Sequence, residues 1–472
     1  MFLIEGLGLK LANYSANGIG YGNALFGLLL GLWAFRLGRS RLAAAPGTLF
    51  ALYTALLVSA PYALGTWPAL SSHAMLYNRY GYALLGLITV ECFQPAARPG
   101  APTKSIREEW LGALSTGAAV AIALFLKASY FVVSIPLVAA SLVFWRPNLR
   151  RIAGLCAGFG IAAFCFIAYM NFHVSAIIHA LRMAAAARSS TLSLKSPVWV
   201  IEGHLSILLL VLALSVSFSL LARERGSWLE EIRIPVVGIF VYLADVGLLM
   251  TNQQQNAMPL TGVFALLIAS RTTVYRDCST PAAAADALPY HASLLLLCGL
   301  LFLPQFTSDI AGLGLAAVRK AHPSLAKSPV RFAEPRLASL ILYNDDRAPQ
   351  KTSNGSIYTT YINDGAALLR RFCTSHDTVL TMDMQNPFPY SLGWPPPRGG
   401  IASMSFNYSI SAQARPSFDD YFGDATVVMK PKRPAQDPEY IDGFYALFVP
   451  AMLERYQLAA ESDWWLMYKK KP

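Results

Sequence analysis

The stretch "FLKASYFVV", residues 125–133, sets a lysine inside an apolar run. From Trp110 to Trp145 the only charged side chain is Lys127. A single helix over residues 110–145 would be about 54 Å long at a rise of ~1.5 Å per residue. That is far longer than a hydrocarbon core of roughly 30 Å. Basic residues stand at both ends of the run, Lys104 and Arg107 before it, Arg146, Arg150 and Arg151 after it. Cytoplasmic loops collect Lys and Arg, so both ends belong on the same side and the chain must turn in between. The expectation is a helical hairpin, 110–126 and 129–145, with Lys127 at its tip on the outer face. The segment "LKASY" holds no Gly or Pro to tighten that turn.

The pattern extends outward from the hairpin. Of 472 residues, 55% are hydrophobic and 14% are charged, against about a quarter charged in ordinary soluble domains. Apolar segments near spanning length recur at roughly 17–35, 45–65, 79–95, 110–126, 129–145, 152–171, 204–222, 233–250, 258–271 and 289–306. Counted by alternate loops, 14 Lys and Arg fall on one side and 6 on the other. The richer set, from Arg36, Arg39 and Arg41 through to Arg271 and Arg276, is cytoplasmic by that bias. The expected fold is a polytopic α-helical membrane domain of about ten spans, residues 1–306. A small extracytoplasmic α/β domain, residues 307–472, follows it. Its strands are read at 337–344, around "DTVLTMDMQ" and at 426–430, with a helix over "NDGAALLRRFC" and a closing helix and strand.

Met1 to Ser15 fall outside by the same alternation, yet no basic n-region or cleavage site precedes them. The expectation drawn is a further span upstream of Met1. The net charge of +11 sits mainly in membrane loops, which points to topology and away from nucleic acid. Six cysteines show no C-x-x-C spacing. His173, His179 and His204 match no zinc motif. No metal and no cofactor are expected. The absence of disulfides within the soluble part and the loop-charge bias suit a bacterial inner membrane.

The outer loops supply the candidate site. In "TWPALSSHAMLYNRY", residues 66–80, His73, Tyr77 and Arg79 lie where a helix re-enters the membrane. An arginine beside hydroxyl and amide donors suits a phosphate at headgroup level, and an aromatic belt with a snorkelling cation suits the same residues. Lys127 faces the same two readings, and Tyr130 is either belt or ligand. Arg182 and Arg188, in the long loop 172–203, break the positive-inside trend and are candidates for binding an anion. Asp245 in "VYLADVGLLM" is an intramembrane carboxylate and so a functional candidate. "TNQQQNAMPLTG" reads as a polar outer turn, with Pro259 in the first turn of the next helix.

Together these features resemble the GT-C superfamily of integral-membrane glycosyltransferases. "ALFLKASYF" looks like that family's lysine at the outer end of a middle helix, and "QQQNAMPL" like its polar turn ending in a helix-opening proline. The ending "YQLAAESDWWLMYKKK" resembles the family's Tyr-x-Leu, Trp, Tyr close. The resemblance implies transfer of a sugar from a polyprenyl-phosphate carrier to a lipid or glycan acceptor at the outer face, with Lys127 on the donor phosphate. The family's catalytic aspartate lies in the first outer loop, and no counterpart is present here. Glu5 and Asp245 are the remaining carboxylates to consider, and the catalytic residue stays unassigned. The chain is expected to be a shortened, inactive form of such an enzyme or a working one. An O-antigen ligase or polymerase, a transporter of lipid or solute, and a non-catalytic membrane protein stay open beside it.

Overall fold

The computed structural model describes residues 2–70, 72, 75–93, 106–144, 149–175, 178, 182, 186, 197–224, 228–251, 256–277, 288–325, 330–342, 344, 354–400, 405–407, 409–435 and 437–472. The chain forms two compact units. The first comprises Met1–Ile4, Asn23–Phe172 and Leu194–Val318, and the second Glu5–Gly22, His173–Ser193 and Arg319–Pro472.

The helical part begins with α1 (Phe2–Leu11), α2 (Asn17–Arg41), α3 (Ala44–Ser59), α4 (Leu76–Phe93), α5 (Ile106–Leu126), α6 (Ala128–Phe144) and α7 (Leu149–Tyr169). It continues with α8 (Pro197–Gly203), α9 (Leu205–Glu224), α10 (Trp228–Thr251), α11 (Pro259–Asp277) and α12 (Leu288–Ala321). Each segment expected to span is helical over most of its described residues, except that α3 ends at Ser59 and leaves 60–65 outside a helix. Among the described residues five helices are long and apolar enough to cross a bilayer alone: α2, α5, α7, and the greater parts of α10 and α12. The pair α8 and α9, bent by 74°, makes a sixth. Apart from Tyr77, all of α4 is buried. Its neighbours shield it from lipid, which is why it tolerates Asn78, Arg79 and Glu91 at a hydropathy too low for an isolated span.

The hairpin at Lys127 is present. The Tyr130 hydroxyl donates to the Asn78 carbonyl at 3.1 Å, near the start of α4. Near the end of α4, Glu91 accepts from Thr116 of α5 at 3.0 Å and from Arg151 of α7 at 2.9 Å. Arg151 lies 3.4 Å from the Ser141 hydroxyl of α6. So α6 runs parallel to α4 and α5 runs against it, with Lys127 as the one residue between them. The turn needs no Gly or Pro because α5 ends at Leu126 and α6 restarts at Ala128; the Tyr130 N–H returns to the Lys127 carbonyl at 3.0 Å.

α5 and α7 lie side by side, held by small residues. A Cβ on Gly158 would stand 2.0 Å from the Leu114 carbonyl oxygen, and one on Gly117 2.1 Å from that of Leu155. Close backbone approach replaces the hydrophobic drive that lipid cannot supply. Phe125 and Phe166 stack one above the other farther along, ring centroids 4.8 Å apart.

The second unit carries α13 (Gly355–Phe372), β1 (Val379–Thr381), α14 (Phe388–Leu392), α15 (Phe418–Phe422), β2 (Val427–Pro431), α16 (Pro438–Arg455), β3 (Tyr456–Glu461) and β4 (Trp465–Lys470). The sheet order is β1-β2-β4-β3. β1 and β2 are parallel, with Val379 opposite Val427. β2 and β4 are antiparallel, with Val427 opposite Lys469. Among the described residues of 337–344 the expected strand is absent: residues 334–339 form bends and turns, and Leu337 reaches the core from a turn made beside Pro335. α13 starts at Gly355, well before the expected "NDGAALLRRFC". The tail forms two strands where one was expected. Within the Tyr-x-Leu, Trp, Tyr ending, Tyr456, Trp465 and Tyr468 are buried in the hairpin, whereas Leu458 is exposed. Tyr456 donates to the Ala425 carbonyl at 2.8 Å, and the buried Trp465 indole donates to the Tyr361 carbonyl at 2.8 Å.

Candidate functional site

The first unit has two chemically distinct ends. At one, Glu91 is clasped by two arginines, Arg41 on Oε1 and Arg151 on Oε2, each at 2.9 Å. Arg271 donates to the Phe93 carbonyl at 2.8 Å at the same end. Arg39, in the last turn of α2, stands near the same end. The other end holds Lys127 and the loop after α3. Gly65, at φ +77°, lies so close to the Asn256 amide that a Cβ would meet it at 2.3 Å. That contact places the loop after α3 against the turn before α11.

Lys127 is half-buried. Its Nζ lies 5.3 Å from the centroid of the Tyr77 ring and 6.0 Å from that of Tyr130. Both lie within the range of a cation–π attraction. Tyr130 is fully buried and is fixed by its hydroxyl on both the carbonyl and Oδ1 of Asn78. The lysine is thus held near two aromatic faces by a rigid neighbour.

Arg79 is 1% exposed. Its Nη1 donates to Asp309 Oδ1 at 2.9 Å and to the Leu57 carbonyl at 2.8 Å, and its Nε to the Tyr62 carbonyl at 2.7 Å. The Tyr62 ring centroid lies 4.1 Å from the guanidinium carbon. Asp309 Oδ1 also accepts from Tyr62 Oη at 2.8 Å and Gln305 Nε2 at 3.0 Å. The guanidinium of Arg79 therefore ties the loop after α3 to α12, directly beneath Tyr77 and Asn78.

Asp245 is fully buried, and its Oδ2 accepts from the Thr261 amide at 3.2 Å. It caps the first turn of α11, whose amides have no partner within the helix. Its Oδ1, the Tyr82 hydroxyl and Asn78 Nδ2 have no hydrogen-bond partner among the described residues. Pro259 opens α11, as the sequence implies. The structure brings Lys127, Tyr77, Tyr130 and Arg79 into one region of the first unit. Glu5, half-buried on α1, and Arg182, exposed and helical, belong to the second unit. His73 and Arg188 lie outside the described residues.

Sequence reasoning misses two of the three buried carboxylates named here. Asp309 falls beyond the last expected span, but α12 continues to Ala321. The four-residue step from Gln305 to Asp309, one helical turn, is the signal that could have found it. Glu91 sits inside an expected span, where a carboxylate carries the same functional expectation as Asp245.

No protein-family model, no curated protein and no solved structure matches this chain.

Proposed function

We propose that the protein is a membrane glycosyltransferase of GT-C type that engages a polyprenyl-phosphate-linked sugar at the outer face of a bacterial inner membrane. In this reading ten helices cross the bilayer and the C-terminal unit is extracytoplasmic. The observation that carries it is Lys127, a half-buried ammonium at the tip of a membrane hairpin, beside Tyr77 and Tyr130 and at the end opposite the clustered arginines.

The chemistry follows from the residue types. Sugar transfer leaves charge on the departing lipid phosphate, and a cation positioned in a partly dehydrated site stabilises that charge in the transition state. Tyr77 and Tyr130 limit where the ammonium can point. Arg79 is spent on Asp309 and contributes by holding the Tyr77–Asn78 turn in place. An acceptor hydroxyl or amine would need a carboxylate to take its proton; Glu5 and Asp245 are the candidates, and neither is assigned.

A transporter would need polar groups free to exchange partners along a path through the membrane. Two of the three buried carboxylates, Glu91 and Asp309, are instead clamped to arginines on neighbouring helices, which favours the transferase reading.

The test is donor-lipid binding, which does not depend on turnover. The chain is placed in nanodiscs, and retention of polyprenyl phosphate is followed by native mass spectrometry. Lys127→Met should weaken retention about tenfold or more. Retention within twofold of the parent leaves Lys127 a snorkelling side chain and overturns the proposal. A reporter fused after Pro472 that is reachable only from the cytosol overturns it as well.

A further inference from the structure

The second unit contains a cavity of about 500 Å³ at the carboxyl end of β1, the edge at which α/β sheets hold their ligands. Its construction can be followed along "TMDMQNPFPYSLGWPPP". Asn386 bridges the strand end: its Nδ2 donates to the Val379 carbonyl at 2.7 Å, and its Oδ1 accepts from the Thr381 hydroxyl at 2.7 Å. α14 then makes little more than one turn and stops at Gly393, which takes φ +73°. The Trp394 amide returns to the Pro389 carbonyl at 2.9 Å, and Pro396 and Pro397 stiffen the chain beyond it.

The walls are aromatic and the edges are donors. Trp394, Tyr390 and Tyr14 line the space together with Arg336. The guanidinium of Arg336 lies 5.1 Å from the Tyr14 ring centroid and 5.9 Å from that of Tyr390, and its Nη1 donates to the Tyr390 carbonyl at 3.2 Å. The Tyr390 hydroxyl donates to the Tyr14 carbonyl at 2.8 Å. These bonds fix the aromatic wall before any ligand arrives. Gln385 is exposed and Trp394 half-buried, and neither side chain takes a hydrogen-bond partner among the described residues. Asp383 is the one acid in the lining, and its oxygens are already occupied by the Tyr361 hydroxyl and by the Met384 and Ala435 amides.

That inventory selects a ligand class. A metal ion has no free carboxylate to bind. A polyphosphate would meet a single arginine. A purely apolar ligand would cover the half-buried Trp394 indole N–H and the remaining Arg336 N–H groups without pairing them. A sugar ring has apolar C–H faces for indole and phenol rings and a rim of hydroxyl oxygens for those donors. The volume falls in the usual range for small-molecule pockets, roughly 300–1,000 Å³, enough for one or two sugar rings.

We propose that this cavity is a saccharide-binding subsite, with Trp394 as the platform and Gln385 and Arg336 as the polar rim. The proposal rests on the cavity alone and stands whether or not the first unit transfers sugars.

The experiment uses the full chain in nanodiscs. Maltotriose, xylotriose, arabinotriose and a glucuronate-containing disaccharide are titrated in turn by ligand-observed NMR, up to about 10 mM. At least one should bind. Trp394→Ala should weaken it about tenfold, and Gln385→Ala about threefold, the scale of an aromatic anchor against a rim contact. Gln385 is exposed, so its variant reports even where removing Trp394 harms folding. Trp67→Ala, at a tryptophan 77% exposed in the first unit, should leave the affinity unchanged. Absence of binding by all four probes, or binding indifferent to both Trp394→Ala and Gln385→Ala, overturns the subsite. Loss of saccharide binding in Lys127→Met alone would assign the sugar to the first unit instead.

Discussion

Arg79 Nη1 and Asp309 Oδ1 lie 2.9 Å apart with side chains 1% and 0% exposed. An ion pair so far from water is held by its geometry. Asp309 Oδ1 collects three donors, and Arg79 satisfies two backbone carbonyls besides. Removing one partner leaves the other charge buried and uncompensated, at about 3–5 kcal/mol. Asp309→Ala should therefore strongly lower the thermal unfolding midpoint in detergent. The double variant Arg79→Met, Asp309→Leu should recover most of the loss, because two apolar groups leave no stranded charge. A double variant as unstable as the single one would mean that the pair contributes by something other than charge compensation.

The hairpin was legible because it follows from length and charge, which survive without knowledge of packing. Lys127 could be placed at a turn from arithmetic alone. What could not be read was pairing across distance. Arg79 looks like an outward-facing ligand in "LYNRY", since nothing local reveals an aspartate 230 positions later. The second unit hid more. Its sheet joins β1 to β2 and β2 to β4, pairings that no local periodicity encodes. Leu337 to Leu342 is apolar enough to read as a strand, yet Leu337 reaches the core from a turn and residues 340–342 form no regular element. Trp394 gives no local signal because "GWPPPRGG" reads as loop, and only the strand end beside it makes a cavity.

Glu91 gives a second measurable asymmetry. It compensates two arginines, Arg41 and Arg151, and accepts from Thr116. Glu91→Ala strands both guanidinium groups, whereas Arg151→Ala leaves Glu91 still paired with Arg41. The first should cost more than the second by about 2 kcal/mol. Because the cluster is buried, raising salt should change neither value appreciably. Equal losses, or losses that vanish in high salt, would show that solvent reaches the cluster.

The α5–α7 contact separates glycines that are needed from one that is not. Gly158→Ala drives a methyl into the Leu114 carbonyl, a 2.0 Å approach with backbone on the other side. The helices must separate, and the variant should lose ~1–3 kcal/mol or more, as for overpacking. Gly160, two residues on, has nothing within 4 Å of the place a Cβ would take. Gly160→Ala should be neutral or stabilise by up to ~1 kcal/mol through helix propensity. Comparable midpoints for the two variants would sink the close-packing account of this interface.

Tyr361 and Asp383 contribute to the pH response of the second unit. The Tyr361 hydroxyl donates to Asp383 Oδ2 at 2.5 Å. Burial pushes the Asp383 carboxyl above its ordinary value of 3.8, against the lowering effect of its hydrogen bonds. A raised carboxyl is protonated more readily in the folded chain than in the unfolded one, so its contribution is complete below about pH 3.8 and is lost as pH rises through the folded value. Burial first, and the Asp383 charge second, push the Tyr361 phenol above its ordinary value of 10.0. By the same sign that contribution holds below about pH 10 and is lost above it. Asp383→Asn should remove the acid-side slope and bring Tyr361 ionisation to lower pH, since the charge opposing it is gone. The check is the difference in unfolding midpoint between parent and variant across pH 3 to 7, where other carboxylates cancel. That difference should move in favour of the variant as pH rises. A difference that is flat, or that moves toward the parent, would mean that the hydrogen bonds to ionised Asp383 outweigh its burial.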